Sequence, residues 1–172
     1  MRVQATAYRA HDPKWAFSPL SGDGAAINGA RFNPKGVPAL YLALSLDGMF
    51  LETGFGLARR FAPLTACTYD VDMADIVDLT TEPARRQERV ELSDMACPWK
   101  EERADGREPA SWQIARRLKE RGASGVLVPS FAYGARADMA NLVLWKWGPD
   151  LPHRVVVHDP AGRLPKDQTS WR

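Results

Sequence analysis

Cysteine is scarce in this 172-residue sequence, which contains two. Cys67 and Cys97 stand far apart, and neither forms a Cys-x-x-Cys pair or has a histidine at the spacing of metal ligands. Zinc sites and disulfide-rich domains are recognised by regular spacings of this kind. We therefore expect no metal site and two reduced, partly buried thiols.

The sequence also has little net charge and no long apolar segment. Its formal net charge is +2, and arginine pairs such as Arg116-Arg117 are interleaved with acidic or apolar residues, as on solvated helix faces. The longest apolar stretches are far too short to cross a bilayer, and the N-terminus lacks a basic segment followed by an apolar one. We expect a soluble, cytoplasmic protein that does not bind a membrane.

Common catalytic motifs are missing as well. The sequence has no Walker motif and no G-x-S-x-G elbow, and His11, His153 and His158 show no spacing that indicates a metal site or a catalytic triad. The segment from Gly22 to Ile27 superficially resembles a dinucleotide fingerprint. However, Ile27 occupies the third glycine position and no strand closely precedes the segment, which argues against a Rossmann site.

The composition is that of an ordinary globular protein. Apolar residues make up 45% and charged residues 26% of the chain. A chain of this length buries roughly 70% of the surface that its unfolded form exposes. We predict a single domain over residues 1–172, in which residues 160–172 form a polar tail.

Hydrophobic patterns predict strands that are mixed with about three helices. The strands are expected at Val3–Tyr8, Ala39–Leu44, Thr65–Asp70, Ile76–Leu79, Gly125–Pro129, Asn141–Trp147 and Arg154–His158. Helices are expected to begin at Ser45 and Thr81 and to cover Ser111–Arg121, whereas His11–Gly36 and Met95–Pro109 are predicted to be loops. Strands and helices do not alternate strictly, so the predicted fold class is α+β, a mixed α/β domain.

The segment from Gly29 to Glu52 combines a turn, a strand and a helix. A turn that is bracketed by Gly29 and Gly36 carries Arg31, the strand carries Tyr41, and the helix carries Glu52. Such a unit can bring a cation, an aromatic ring and a carboxylate to one end of a sheet, where ligands of α/β proteins tend to bind. Taken singly, Arg31 could also be a surface residue and Tyr41 a core residue.

The helix that begins at Ser45 is predicted to be amphipathic. One stripe, which should face the core, contains Leu46, Met49, Phe50, Thr53 and Leu57. Glu52 lies well off this stripe. From the residues alone, Glu52 is therefore expected to be solvated rather than at the edge of a cleft.

Several short segments, taken together, resemble the RES domain family, which is named after an arginine, a glutamate and a serine. In chain order they are Tyr8-Arg9, Gly29-Ala30-Arg31-Phe32-Asn33, Ala39-Leu40-Tyr41, the helix with Glu52, Val128-Pro129-Ser130 and Asn141-Leu142-Val143-Leu144. The resemblance extends from about residue 8 to about residue 147. The sequence departs from the family at Ala30, where a second glycine is usual, and at Phe32, where tryptophan is frequent.

This resemblance implies a fold similar to that of ADP-ribosyltransferases and a role as the toxin of a bacterial type II toxin–antitoxin pair. NAD is the implied substrate, and no metal is expected. The implied reaction breaks the nicotinamide–ribose bond of NAD and transfers ADP-ribose to a protein acceptor, with hydrolysis or phosphorolysis of NAD as the alternative. The implied partner is an Xre-type helix-turn-helix antitoxin that blocks the NAD cleft, so that this chain itself need not bind DNA.

The resemblance also implies catalytic residues. Breaking the bond between nicotinamide and ribose builds positive charge on the ribose, and a nearby carboxylate stabilises that charge. Glu52 is the implied carboxylate, and Arg31 and Ser130 are implied beside it.

NAD binding is implied for five residues. Guanidinium groups suit the two negative charges of a pyrophosphate, which makes Arg9 and Arg31 candidates for holding it. Tyr41 would stack on nicotinamide or bind the ribose, and Ser130 would hydrogen-bond the ribose or the nicotinamide amide. Asn141 would help to shape the pocket.

Two other functions are compatible with the sequence. The arginine pairs and aromatic residues could serve a toxin that binds or cleaves RNA, and binding of that kind weakens steeply with salt. A binding module without catalytic activity would show no NAD turnover.

Overall fold

The computed structural model describes residues 1–53 and 63–169 of the chain. Its strands are β1 (Val3–His11), β2 (Leu40–Ala43), β3 (Thr65–Met73), β4 (Ile76–Asp78), β5 (Gly125–Pro129), β6 (Ala140–Leu144) and β7 (His153–Val157). Its helices are α1 (Asp23–Asn28), α2 (Leu46–Thr53), α3 (Glu82–Glu88), α4 (Leu92–Met95), α5 (Trp99–Ala104) and α6 (Ala110–Glu120), with a short 3-10 helix at Pro13–Trp15. None of the helices in these ranges is both long and apolar enough to cross a membrane.

All seven strands belong to one sheet with the order β4-β5-β6-β2-β1-β3-β7. β4 and β5 are parallel, and the other neighbours are antiparallel. β1 pairs with β3 along its whole length, from Val3 to His11. On its other side β1 pairs with β2 at Tyr8 and Ala43. Beyond this pair the ladder between the two strands ends, and the sheet opens there.

Each face of the sheet carries a hydrophobic core. Alternation along β2 shows the division, because Leu40 and Leu42 belong to the first core whereas Tyr41 packs against the second. Ile114 and Leu118 of α6 lie in the second core together with strand residues. Burial of one such leucine contributes roughly 1.5–3 kcal/mol, so the two cores provide most of the stabilisation that holds the sheet and helices together.

The predicted mixed α and β class is confirmed, and each predicted strand overlaps an observed one. The helix starts predicted at Ser45, Thr81 and Ser111 are also found within one residue. Two predicted loops are wrong in part, because they contain α1 and α5. Both helices have six residues and no side-chain hydrogen bond at the N-cap, so neither hydrophobic periodicity nor a cap revealed them.

The predicted core stripe of α2 is confirmed at Met49 and wrong at Leu46 and Phe50, while Leu57 lies outside the described residues. Leu46 and Phe50 are 48% and 57% exposed, and the buried residues are Gly48 and Met49. A Cβ atom on Gly48 would lie 3.7 Å from the Cβ atom of Ala43. This is an ordinary contact distance, so the face of α2 with Gly48 and Met49 packs on strands β1 and β2.

Candidate active site

A cleft opens where the ladder between β1 and β2 ends. Its volume is about 480 Å³, within the range of roughly 300–1,000 Å³ that is usual for small-molecule sites. The walls come from the end of β1, from β2, α2 and β6, and from the two residues before β3. Of the residues singled out in the sequence, the cleft is lined by Arg9, Tyr41, Glu52 and Asn141.

Glu52 is held at the edge of this cleft by two hydrogen bonds. Ser130, which follows β5, donates its hydroxyl to Glu52 Oε1 at 2.7 Å. Asn141 of β6 donates its side-chain Nδ2 to the same oxygen at 2.6 Å. Glu52 is exposed, as expected, but the expectation that it lies away from a cleft is wrong, because it lines this one and is fixed in orientation. Because both bonds reach Oε1, the second carboxylate oxygen is left to contact a ligand.

Strand register explains why these residues meet. Asn141 lies across from Ala43 of β2 on one side and from Val128 of β5 on the other. β2 leads directly into α2 with Glu52, and β5 leads directly to Ser130. The three side chains therefore come together at one end of the sheet although they are far apart in the sequence.

Arg31 lies beside this cluster and is anchored to the protein backbone. Its Nη1 atom donates to the carbonyl oxygens of Met95 and Cys97 at 3.0 and 2.9 Å. The guanidinium carbon lies 4.8 Å from the centre of the Phe131 ring. Burial lowers the pKa of Arg31, and the negative charge of Glu52 acts in the opposite direction. Through Phe131, the guanidinium lies next to the residue that follows Ser130, although it does not line the cleft.

The Tyr41 hydroxyl is engaged by the turn that carries Arg31. It donates to Asn33 Oδ1 at 2.7 Å and accepts the backbone N–H of Phe32 at 2.9 Å. Burial raises the pKa of this hydroxyl. The ring of Tyr41 can contact a ligand in the cleft, but the hydroxyl already has its partners.

Asn33 belongs to the same turn and was not predicted to have a role of its own. It is fully buried, and its Nδ2 donates to the carbonyl oxygens of Ala25, Pro34 and Val37. A side chain with this many backbone contacts fixes the path of the turn. The sequence signal for this role was the position of Asn33 after Phe32, in the segment that resembles the RES domain family.

Arg9 lines the cleft and is tied to the loop that follows β1. Its Nη1 donates to the carbonyl oxygens of Pro19 and Ser21 at 3.1 and 2.9 Å. The Tyr69 hydroxyl donates to the same Pro19 carbonyl at 2.9 Å. Burial lowers the pKa of the Arg9 guanidinium. Arg9 therefore holds a loop at the cleft in addition to lining it.

His11, the last residue of β1, is a cleft residue that sequence reasoning missed. Both ring nitrogens are shielded from solvent and have no hydrogen-bond partner among the residues that the structure describes. Burial, and next the charge of Arg9, lower the pKa of the imidazole. Metal and triad spacings in the sequence do not reveal a single histidine at the end of a strand.

The cysteines do not take part in the cleft. Cys67 and Cys97 are both buried and unpaired. In the described part of the chain, no group of three His, Cys, Asp or Glu side chains is arranged to hold a metal ion.

The chain is similar to known proteins over most of its length. The family model of the RES domain matches residues 6–167. Among solved structures, a chain of the M. tuberculosis MbcT–MbcA toxin–antitoxin complex has a similar fold, with a TM-score of 0.60 and 23% sequence identity. That similarity covers 92% of this chain and 84% of the other. No curated protein matches the sequence significantly.

Proposed function

This chain belongs to the RES domain family, and we propose that it is the toxin of a toxin–antitoxin pair and that it consumes NAD. The proposed reaction breaks the bond between nicotinamide and ribose and transfers ADP-ribose to a protein acceptor. The observation that carries the proposal is the Glu52 carboxylate, oriented by Ser130 and Asn141 at the edge of a cleft.

Glu52 would stabilise the transition state of this reaction. As nicotinamide leaves, positive charge develops on the ribose carbon to which it was attached. A carboxylate that is already oriented stabilises that charge without rearranging when the bond breaks. Ser130 and Asn141 keep Oε1 in place, so Oε2 is the oxygen that would contact the ribose.

The arginines and Tyr41 would bind the rest of NAD. The described hydrogen bonds of Arg9 and Arg31 to the protein use Nη1, so the other donors of each guanidinium are left for phosphate oxygens. Tyr41 would contribute its ring, because its hydroxyl is engaged with Phe32 and Asn33. The hydroxyl of Ser130 and the side chain of Asn141 would act mainly by orienting Glu52.

The acceptor of ADP-ribose distinguishes three variants of this function. Transfer to a protein is the main proposal, and hydrolysis and phosphorolysis are its alternatives. All three share the bond cleavage that Glu52 would assist. They differ in what attacks the ribose afterwards, so the product identifies the variant.

A partner follows from the proposed role. The fold is shared with a chain from a toxin–antitoxin complex, which supports the existence of an antitoxin for this chain as well. We propose an Xre-type helix-turn-helix antitoxin that covers the cleft in the cytoplasm and itself binds the DNA.

The test is to incubate the purified protein with NAD, with and without phosphate and with a cell lysate, while nicotinamide release is followed. We expect Glu52→Gln to lower the rate by a factor on the order of 10²–10³. Product mass then identifies the acceptor, because labelled protein, ADP-ribose-1-phosphate and free ADP-ribose indicate transfer, phosphorolysis and hydrolysis.

Glu88→Gln is the matched control for this experiment. Glu88 pairs with Arg121 at 2.6 Å, and its side chain is 15% exposed, so the same chemical change is made away from the cleft. This variant should retain wild-type activity. A folded Glu52→Gln protein with full activity would refute the role of Glu52, and no nicotinamide release by the wild type under any condition would refute the proposed function.

A further inference from the structure

Distant side chains hold the backbone of the turn that carries Arg31. Three consecutive carbonyl groups of this turn each accept a hydrogen bond, from Trp112 Nε1 to Ala30, from Ser111 Oγ to Arg31, and from Trp145 Nε1 to Phe32, at 2.7, 2.5 and 3.0 Å. Carbonyl groups in an ordinary surface turn bond to water instead. The backbone of the turn is therefore held by side chains from other parts of the chain as well as by its own Asn33.

Ser111 completes a closed ring of hydrogen bonds around Arg31. The Arg31 guanidinium donates to the carbonyl of Cys97 at 2.9 Å, the Cys97 thiol contacts Ser111 Oγ at 3.4 Å, and Ser111 Oγ donates to the carbonyl of Arg31. A hydroxyl has one proton to donate and lone pairs to accept with, so Ser111 can make both contacts at once. The ring links the side chain of Arg31 to its own backbone.

Ser111 itself is remote from any ligand. It is 0% exposed, belongs to the first turn of α6 and does not line the cleft. Its contacts nevertheless converge on Arg31 and on Cys97, which binds the Arg31 side chain. The hydrogen bonds of the Ser111 hydroxyl therefore lead to the Arg31 backbone directly and to the Arg31 side chain by way of Cys97.

We propose that Ser111 is a positioning residue that sets the direction of the Arg31 guanidinium for a pyrophosphate ligand. The proposal rests on the proposed function, in which Arg31 binds the pyrophosphate of NAD. Binding by a planar guanidinium depends on direction as well as distance. If the turn shifts, the fork no longer matches the phosphate oxygens, and the affinity for NAD falls while the reacting groups at Glu52 stay in place.

The first test compares the kinetics of Ser111→Ala with those of Ser124→Ala. Ser124 is a matched control, because it is 1% exposed and donates its hydroxyl to the carbonyl of Ala74 at 2.5 Å. Each variant removes a buried hydroxyl that donates to a backbone carbonyl, and Ser111→Ala also removes the acceptor of the weak Cys97 thiol contact. We expect Ser111→Ala to raise KM for NAD about fivefold to tenfold with a smaller change in kcat, and Ser124→Ala to leave KM unchanged. An equal rise in KM in both variants would overturn the proposal.

The second test repeats Ser111→Ala in an Arg31→Ala background. If Ser111 acts through Arg31, the effects on KM are not additive, and Ser111→Ala has no further effect once Arg31 is gone. The same fold-change in both backgrounds would contradict the proposal. Ser111→Cys keeps a weaker donor and should give an intermediate KM, and it replaces the alanine variant in both tests if that variant does not fold.

A readout without substrate separates this proposal from the proposed function. In ¹⁵N-labelled protein, an immobilised guanidinium gives separate NMR signals for its Nη groups, whereas a freely rotating one gives an averaged signal. We expect separate Arg31 signals in the wild type and in Ser124→Ala, and averaged signals in Ser111→Ala. Separate signals in Ser111→Ala would refute the positioning role even if NAD is consumed, and averaged signals there would support it even if NAD is not.

Discussion

Removal of the Tyr41 hydroxyl tests how the turn that carries Arg31 is held. In Tyr41→Phe the ring remains in the cleft, but two buried groups lose their partner. The backbone N–H of Phe32 loses the oxygen that it donates to, and Asn33 Oδ1 loses the proton that it accepts. Phe32 is 2% and Asn33 0% exposed, so water cannot replace either bond while the turn stays in place.

The magnitude follows from these two groups. A buried donor or acceptor that is left unpaired costs roughly 1–3 kcal/mol, so the pair amounts to roughly 2–6 kcal/mol. For a chain of this size, a loss of about 3 kcal/mol lowers Tm by roughly 6–12 °C. The free energy of unfolding, measured by urea denaturation, and Tm should both show the change.

Tyr69→Phe is the matched control. Tyr69 is also fully buried, and its hydroxyl donates to the carbonyl of Pro19. That carbonyl keeps a second donor in Arg9, so the variant leaves no acceptor unpaired and should lose about 0.5–1.5 kcal/mol. If Tyr41→Phe is destabilised no more than Tyr69→Phe, the hydroxyl does not hold the turn and the reasoning fails.

Two further predictions concern other parts of the fold. The folded-state pKa of His11 is lowered, so protonation of this histidine destabilises the fold. The free energy of unfolding of the wild type, measured relative to that of His11→Gln, should therefore fall as the pH drops below about 6.5 and through the lower folded pKa. Parallel pH profiles from urea titrations would contradict this expectation. Gly125→Ala would place a Cβ atom 2.5 Å from the carbonyl oxygen of Val143 and should destabilise the protein by about 1–3 kcal/mol or more. Gly24→Ala in α1, where a Cβ atom meets nothing within 4 Å, should instead stabilise it by about 0.5–1 kcal/mol, and thermal melts that show equal effects would refute the steric argument.

The strands and the capped helices were predictable from local patterns, because the alternation and the capping residues that specify them lie within a few residues of one another. Strand β1 is recognisable from alternation between Val3 and Tyr8, and α2 from the serine at its start, since the Ser45 hydroxyl accepts the N–H of Gly48 at 3.1 Å. The buried face of α2 was not predictable in the same way. It depends on which face of α2 packs against β1 and β2 in the folded sheet, which a pattern of apolar residues cannot reveal.

For the candidate site, too, some features were predictable from local sequence and others were not. By itself, the sequence determined that Arg31, Tyr41 and Glu52 follow one another on a turn, a strand and a helix, and its short segments were sufficient to indicate the family. The tertiary structure decided that Ser130 and Asn141 meet at one oxygen of Glu52. It also brought His11 to the cleft. These contacts depend on strand order and register, which are fixed by the packing of the whole sheet and not by neighbours in the sequence.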